Sequence, residues 1–199
     1  MNDELLNLLS NSEAATHLLE KSGNFCVNDT IGISLLFAGV FHKKPGKYLI
    51  SCANLYTAQK VSDLIAALIG DENVLLFPVD DMLRNDALAS SKEMLAQRLY
   101  VMNKVLDNKN RIVVTHASAL ITPLPTVAEF KNNSFTISKG KTYKLGELKE
   151  KLVKAGYEQV NKIDQTLQFA SRGDILDIFP VSSENPIRIE FFGDEVESI

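Results

Sequence analysis

The chain has 199 residues, 45% hydrophobic and 23% charged, with 21 Lys+Arg against 25 Asp+Glu for a formal net charge of -4. That size and composition suit one large or two small globular domains, and the acidic balance gives no whole-chain electrostatic case for DNA or RNA. The longest apolar stretch, Ile31 to Phe41, is broken by Gly32, Ser34 and Gly39 and falls well short of the roughly 20 residues that a membrane span needs. The acidic start, MNDELLNLL, lacks the basic lead of a signal peptide. Together these features predict a cytoplasmic protein with no membrane partner. Cys26 and Cys52 each sit in an apolar, β-like run, which predicts buried free thiols in a reducing compartment.

In chain order, residues 2–21 read as one or two short amphipathic helices, with Asn2 or Asp3 and then Ser12 as caps. Asn24 to Val27 is a strand candidate. Asn28-Asp29-Thr30 caps a helix to about His42, stopped by Lys43-Lys44-Pro45-Gly46. Tyr48 to Cys52 reads as a short buried strand. Residues 55–69 form a helix with Leu55, Ala58, Val61, Leu64, Ile65 and Leu68 at helical spacing. Val74 to Phe77 is a strand, 80–91 an irregular polar link, Ser91 to Leu106 a long helix and Ile112 to Thr115 a further strand, followed by a short helix at 117–121. Short apolar strands alternating with longer helices predict an α/β domain, a parallel sheet with helices on both faces.

Thr122-Pro123-Leu124-Pro125 marks a boundary. Beyond it the pattern changes to a strand at Phe135–Ser138, a helix at Leu145–Ala155 ended by Gly156, and β runs at 157–163, 167–172, 173–180 and 187–192. Mostly antiparallel strands with one helix predict a small α+β domain. The domains are therefore 1–125 and 126–199. The chain stops at Ile199 inside a β pattern with no polar tail, which predicts that the second domain continues past it.

A domain of alternating strands and helices invites a search for a phosphate loop, because glycines and helix N-terminal amides cradle phosphates. The first strand–helix junction, FCVNDTIGISLLF, has one glycine, Gly32, and no nearby Lys-Ser/Thr pair. The expectation is a P-loop-NTPase-like sheet with a degenerate nucleotide site and no bound cofactor. Asp80-Asp81 could stand as a Walker-B-like pair, but a solvated turn after Pro78 explains them without a nucleotide. His17, His42 and His116 are scattered, and neither cysteine has a CxxC partner, so no metal site is expected. His116 follows a strand end, where catalytic groups can occur in α/β folds, but no nucleophile motif accompanies it. Glu190, Asp194, Glu195 and Glu197 form an acidic run that could hold a metal or serve a nuclease; a solvated strand face and turn is the plainer reading. No catalytic residue is assigned.

The densest β signal lies in the last 29 residues. Gly173–Phe179 is mostly apolar, and Ile187–Phe192 alternates, with Ile187, Ile189 and Phe191 on one face and Arg188, Glu190 and Phe192 on the other. The polar link between them makes this a hairpin with one buried face. Phe192 is out of pattern, on the polar face. The chain has five arginines, and Arg172 and Arg188 both belong to this region. Arginine forks pair bidentately with carboxylate or phosphate, and an aromatic beside arginines is hot-spot composition. Two readings stay open: a protein interface on Arg172, Arg188 and Phe192, or a surface salt bridge from Arg188 to Glu190 with Phe192 covered by a further segment. A dimerisation module using the hairpin edge is a third use of the same strands.

The stretch RGDILDIFP…PIRIEFFGDEVESI resembles the signature shared by the excision-repair helicase UvrB and the transcription-repair coupling factor (Mfd) family. LYTAQKVSDLIAALIGDENVLLFPVDDML, AQRLYVMNKVL and RIVVTHASALITPLP resemble the N-terminal region of the coupling factors, whereas UvrB would carry a Gly-Lys-Thr loop near its start. The resemblance implies a UvrB-like domain 1a over 1–125 and a domain 2 over 126–199 that recruits UvrA in transcription-coupled excision repair. It implies that UvrA contact falls on Arg172, Arg188 and Phe192. It further implies an RNA-polymerase-binding domain and an ATP- and Mg-dependent DNA translocase motor elsewhere in the full-length protein, and so a non-catalytic role for this region. The Gly193-Asp194 step follows UvrB, where some coupling factors have Asp-Asp or Asp-Thr. The alternative is a nucleotide-binding, helicase-like domain acting on DNA.

Overall fold

The computed structural model describes residues 2–20, 26–27, 29–79, 92–183 and 185–199. Asn24 and Phe25 of the first strand candidate, Asn28, the Asp80-Asp81 pair with its polar link, and the side chain of Asn2 lie outside the described residues. The fold divides into two compact units, Met1–Ser90 with Val101–Thr122, and Ser91–Tyr100 with Pro123–Ile199.

In the first unit, α1 (Asn2–Ser10), α2 (Glu13–Glu20) and α3 (Thr30–Lys43) precede β1 (Lys47–Cys52), α4 (Leu55–Ile69), a 3-10 turn at Asp71–Asn73 and β2 (Val74–Leu76). The helix α5 (Lys92–Val105), whose residues up to Tyr100 group with the second unit, leads to β3 (Arg111–His116) and α6 (Ala117–Leu120). Helix starts are set by caps that the sequence announces. The Asp29 side chain accepts from the Gly32 amide at 2.6 Å, Asn54 from Thr57 at 2.9 Å, and Ser12 from Ala15 at 3.2 Å, each holding an amide that the first helical turn leaves unpaired. The sheet is all parallel with order β1-β3-β2. Its core joins Ala58, Val61 and Ile65 of α4 to Ile50, Ile112 and Val114 of the strands.

Two expectations for this unit change. Among the described residues the Tyr48–Cys52 run is an edge strand and not a buried one, with Leu49 62% exposed. The buried central position belongs to β3, because parallel strand order depends on crossovers that short apolar runs do not encode. Cys26 is exposed and outside any strand, while Cys52 is half-buried at the end of β1. Partial burial pushes the Cys52 thiol up.

In the second unit, α7 (Val127–Asn132) and α8 (Leu145–Lys154) precede β4 (Glu158–Gln159), β5 (Gln168–Arg172), β6 (Ile175–Phe179), β7 (Ile187–Phe192) and β8 (Glu195–Ser198). These five strands form one sheet in chain order, antiparallel except for β4 against β5. The strand expected at Phe135–Ser138 is absent; that stretch carries no regular element. The helix α7, not foreseen, is started by a capping box in which Thr126 Oγ1 accepts from the Glu129 amide at 3.2 Å and the Glu129 carboxylate accepts from the Thr126 amide at 2.8 Å. Leu148 and Leu152 of α8 pack with Phe169, Leu176, Ile189 and Phe191 on one face of the sheet. Complete burial of such side chains contributes about 1.5–3 kcal/mol each. The opposite face has no helix in this core and carries the candidate site.

Candidate protein-binding surface

The alternation of Ile187–Phe192 decides which side chains reach that face. Ile189 and Phe191 are buried at 3% and 5% exposure, whereas Phe192 is 81% exposed, and Arg188 and Glu190 point outward with it. Arg172 is the last residue of β5 and Phe192 the last of β7. Each is followed by a Gly-Asp turn whose glycine has positive φ, +57° at Gly173 and +63° at Gly193. Glycine at the first central position fits the two-residue turns that match strand twist. Strands β5 and β7 run in the same direction, so both turns, and with them Arg172 and Phe192, lie at one end of the sheet.

Register fixes the rest. Arg172 pairs with Ile175 and Ile175 with Glu190, while Ala170 pairs with Asp177 and Asp177 with Arg188. Arg188 and Phe192 are thus about 13 Å apart along β7, and Arg172 lies about 10 Å to the side, two strands away, level with Glu190 between them. The structure brings all three predicted residues onto one triangular face.

Asp177 is part of this face and has no place in the sequence-based expectation. Its Oδ1 accepts from Arg188 Nε at 2.8 Å and its Oδ2 accepts from Arg188 Nη2 at 2.9 Å. The Arg188 hydrogen bond, reinforced by the charges of Arg188 and then Arg172, holds the Asp177 carboxyl below its ordinary range. The same contact raises Arg188 further. Arg188 therefore does not pair with Glu190, as a salt-bridge reading would have it; the Glu190 carboxylate accepts from Ser198 Oγ at 2.8 Å. Cross-strand register brings Asp177 directly opposite Arg188, which accounts for the difference. Arg172 Nη2 donates to the Asn161 carbonyl at 3.2 Å. Arg172, Asp177 and Arg188 line a cleft of about 520 Å³ with Lys162, Ile175 and Ile187. The face thus offers oriented guanidinium groups over an aliphatic floor, with an exposed aromatic ring to one side.

The other candidates fall elsewhere. His116 is fully buried at the end of β3, and its Nε2 accepts from the Val79 amide at 3.1 Å, a structural use of the ring. His42 Nε2 meets Asn7 Oδ1 at 3.2 Å. Among the described residues no three His, Cys, Asp or Glu side chains gather as a metal-holding group, and no helix is long and apolar enough to cross a membrane. Among the described residues the hairpin strands β6 and β7 are internal to the sheet, and the far side of β8 bonds to residues 140–143, with Gly140 N donating to Val196 O at 2.8 Å and Val196 N to Lys141 O at 3.0 Å.

Residues 135–199, which contain the whole triangular face, match the family model described as the UvrB interaction domain. The chain is also 40% identical over 146 residues to the transcription-repair-coupling factor of Bacillus subtilis (strain 168), covering 73% of this chain and 12% of that protein. The chain matches a region of a transcription-repair-coupling factor. A second coupling factor, from Staphylococcus aureus (strain bovine RF122 / ET3-1), is 28% identical over 151 residues, 76% of this chain and 13% of that protein. The chain thus spans about an eighth of the length of the curated coupling factors it matches. Within this coupling-factor region the UvrB interaction domain spans β4 to β8 together with α8.

Proposed function

We propose that this region is a non-catalytic adaptor of a cytoplasmic transcription-repair coupling factor, and that it recruits UvrA during transcription-coupled excision repair. The observation that carries the reading is the joint outward presentation of Arg172, Arg188 and Phe192 on the sheet face opposite the α8 core. The match of residues 135–199 to the UvrB interaction domain supports the choice of partner. Phe192 is the aromatic anchor, and the two arginines pair with carboxylates of UvrA around it; anchors of this kind cost about 2 kcal/mol or more when truncated. RNA polymerase, DNA and Mg-ATP are engaged by other parts of the full-length coupling factor.

Because the surface copies one that UvrB uses, the two proteins compete. The test is displacement of a labelled form of this chain from UvrA by unlabelled UvrB. The reading expects complete displacement at saturating UvrB; simultaneous binding of both proteins at one UvrA site contradicts it.

A further inference from the structure

Asp177 and Arg188 occupy directly paired positions on β6 and β7. The carboxylate takes the Nε and Nη2 protons, the side-on fork of the guanidinium. A guanidinium has five N–H groups in fixed directions, so this grip leaves the end-on fork, one N–H of Nη1 and one of Nη2, pointing away from Asp177. The acid is the more sheltered member, with its side chain 29% exposed against 62% for the arginine. Asp177 is therefore the anchor and Arg188 the presented group.

We propose that Asp177 is a positioning residue of the docking surface, locking Arg188 so that its end-on fork receives a carboxylate of UvrA. The inference rests on the docking reading above. Long side chains lose rotamer freedom when a partner fixes them, and a side chain already fixed loses less. The arrangement also sets the geometry of recognition: the incoming carboxylate approaches along the guanidinium axis, because the side of the fork is taken. The opposite role is physically distinct. If Asp177 acted as a built-in competitor for Arg188, its removal would tighten binding.

The test measures the affinity of UvrA for the 199-residue chain and for its Asp177→Ala, Asp177→Glu, Arg188→Ala and Asp177→Ala/Arg188→Ala variants, with the Arg188 Nε–H signal followed by NMR. We expect Asp177→Ala to weaken binding about three- to tenfold, the double variant to bind no more weakly than Arg188→Ala alone, and Asp177→Glu to recover part of the loss. The Arg188 Nε–H signal should be distinct in the wild type and averaged in Asp177→Ala, while the backbone amide spectrum is retained. Unchanged or tighter binding by Asp177→Ala, or additive losses in the double variant, overturns the inference and leaves the docking reading standing. Absence of wild-type binding to UvrA overturns both.

Discussion

Phe191 and Phe192 are neighbours in the chain with opposite environments, 5% and 81% exposed. Strand alternation sends Phe191 into the core beneath α8 and leaves Phe192 on the outer face. The two rings therefore differ in what they give the fold: Phe191 is core and Phe192 is surface. Phe191→Ala should destabilise the second unit by about 3–5 kcal/mol. Phe192→Ala should stay within about 0.5 kcal/mol of wild type. Urea unfolding followed by circular dichroism reads both values. A large loss at Phe192 would mean that the ring packs within the fold.

The Asp107 carboxyl is lowered from 3.8 to about 2, chiefly by the Arg111 side chain and then by the Lys109 amide. Arg111 is itself buried, and its Nη1 donates to Asp107 Oδ1 at 2.6 Å and to the Lys104 carbonyl at 2.9 Å, while Nε donates to the Glu72 carbonyl at 3.1 Å. A carboxyl with a depressed folded pKa binds fewer protons folded than unfolded, so its contribution is present above the unfolded value and is lost as pH falls through the folded one. The stability gap between wild type and Asp107→Asn should be full near neutrality and shrink as pH drops from about 4 to about 2. A gap independent of pH would contradict the ion pair.

Removal of the His116 ring strands the buried Val79 amide, since Nε2 is its acceptor. An unsatisfied buried donor costs about 1–3 kcal/mol, before any cavity cost. His116→Ala should lower the denaturation midpoint and leave UvrA affinity per folded molecule unchanged. A selective loss of affinity would reassign His116 to function.

Gly193 has φ of +63° with open space where a Cβ would go, so its substitution is strained by backbone conformation and not by clash. Gly193→Ala should cost about 1–2 kcal/mol, and Gly193→Asn less, since asparagine tolerates this region better. Because Phe192 immediately precedes the turn, UvrA affinity should fall with the alanine variant. Equal stability of the two variants would contradict the turn assignment.

Much of the candidate site was legible because alternation in Ile187–Phe192 assigns faces without knowledge of partners. Asp177 was not legible as the partner of Arg188. Its role depends on the register of β6 against β7, and a shift of one residue would pair it differently. The helix α7 carried a readable signal in Thr126-Val127-Ala128-Glu129, a capping-box spacing, masked by the prolines before it. The stretch Phe135–Ser138 has strand composition but no strand: Ile137 packs against the core and the Tyr143 hydroxyl bonds the backbone of Thr136 and Ser138, so β propensity here is met by packing without a ladder. Leu49 shows the same limit from the other side: its apolar run reads as buried, but the strand order among the described residues places it at an edge.

The most direct measurement is the binding isotherm of UvrA with the wild-type chain and with the Arg172→Ala/Arg188→Ala/Phe192→Ala triple variant, after circular dichroism shows that both are folded. Loss of the anchor at about 2 kcal/mol or more corresponds to at least a thirtyfold weakening. Saturable binding by wild type and no measurable binding by the triple variant is the predicted result. Equal affinity of the two folded proteins would contradict the assignment of this sheet face as the docking surface.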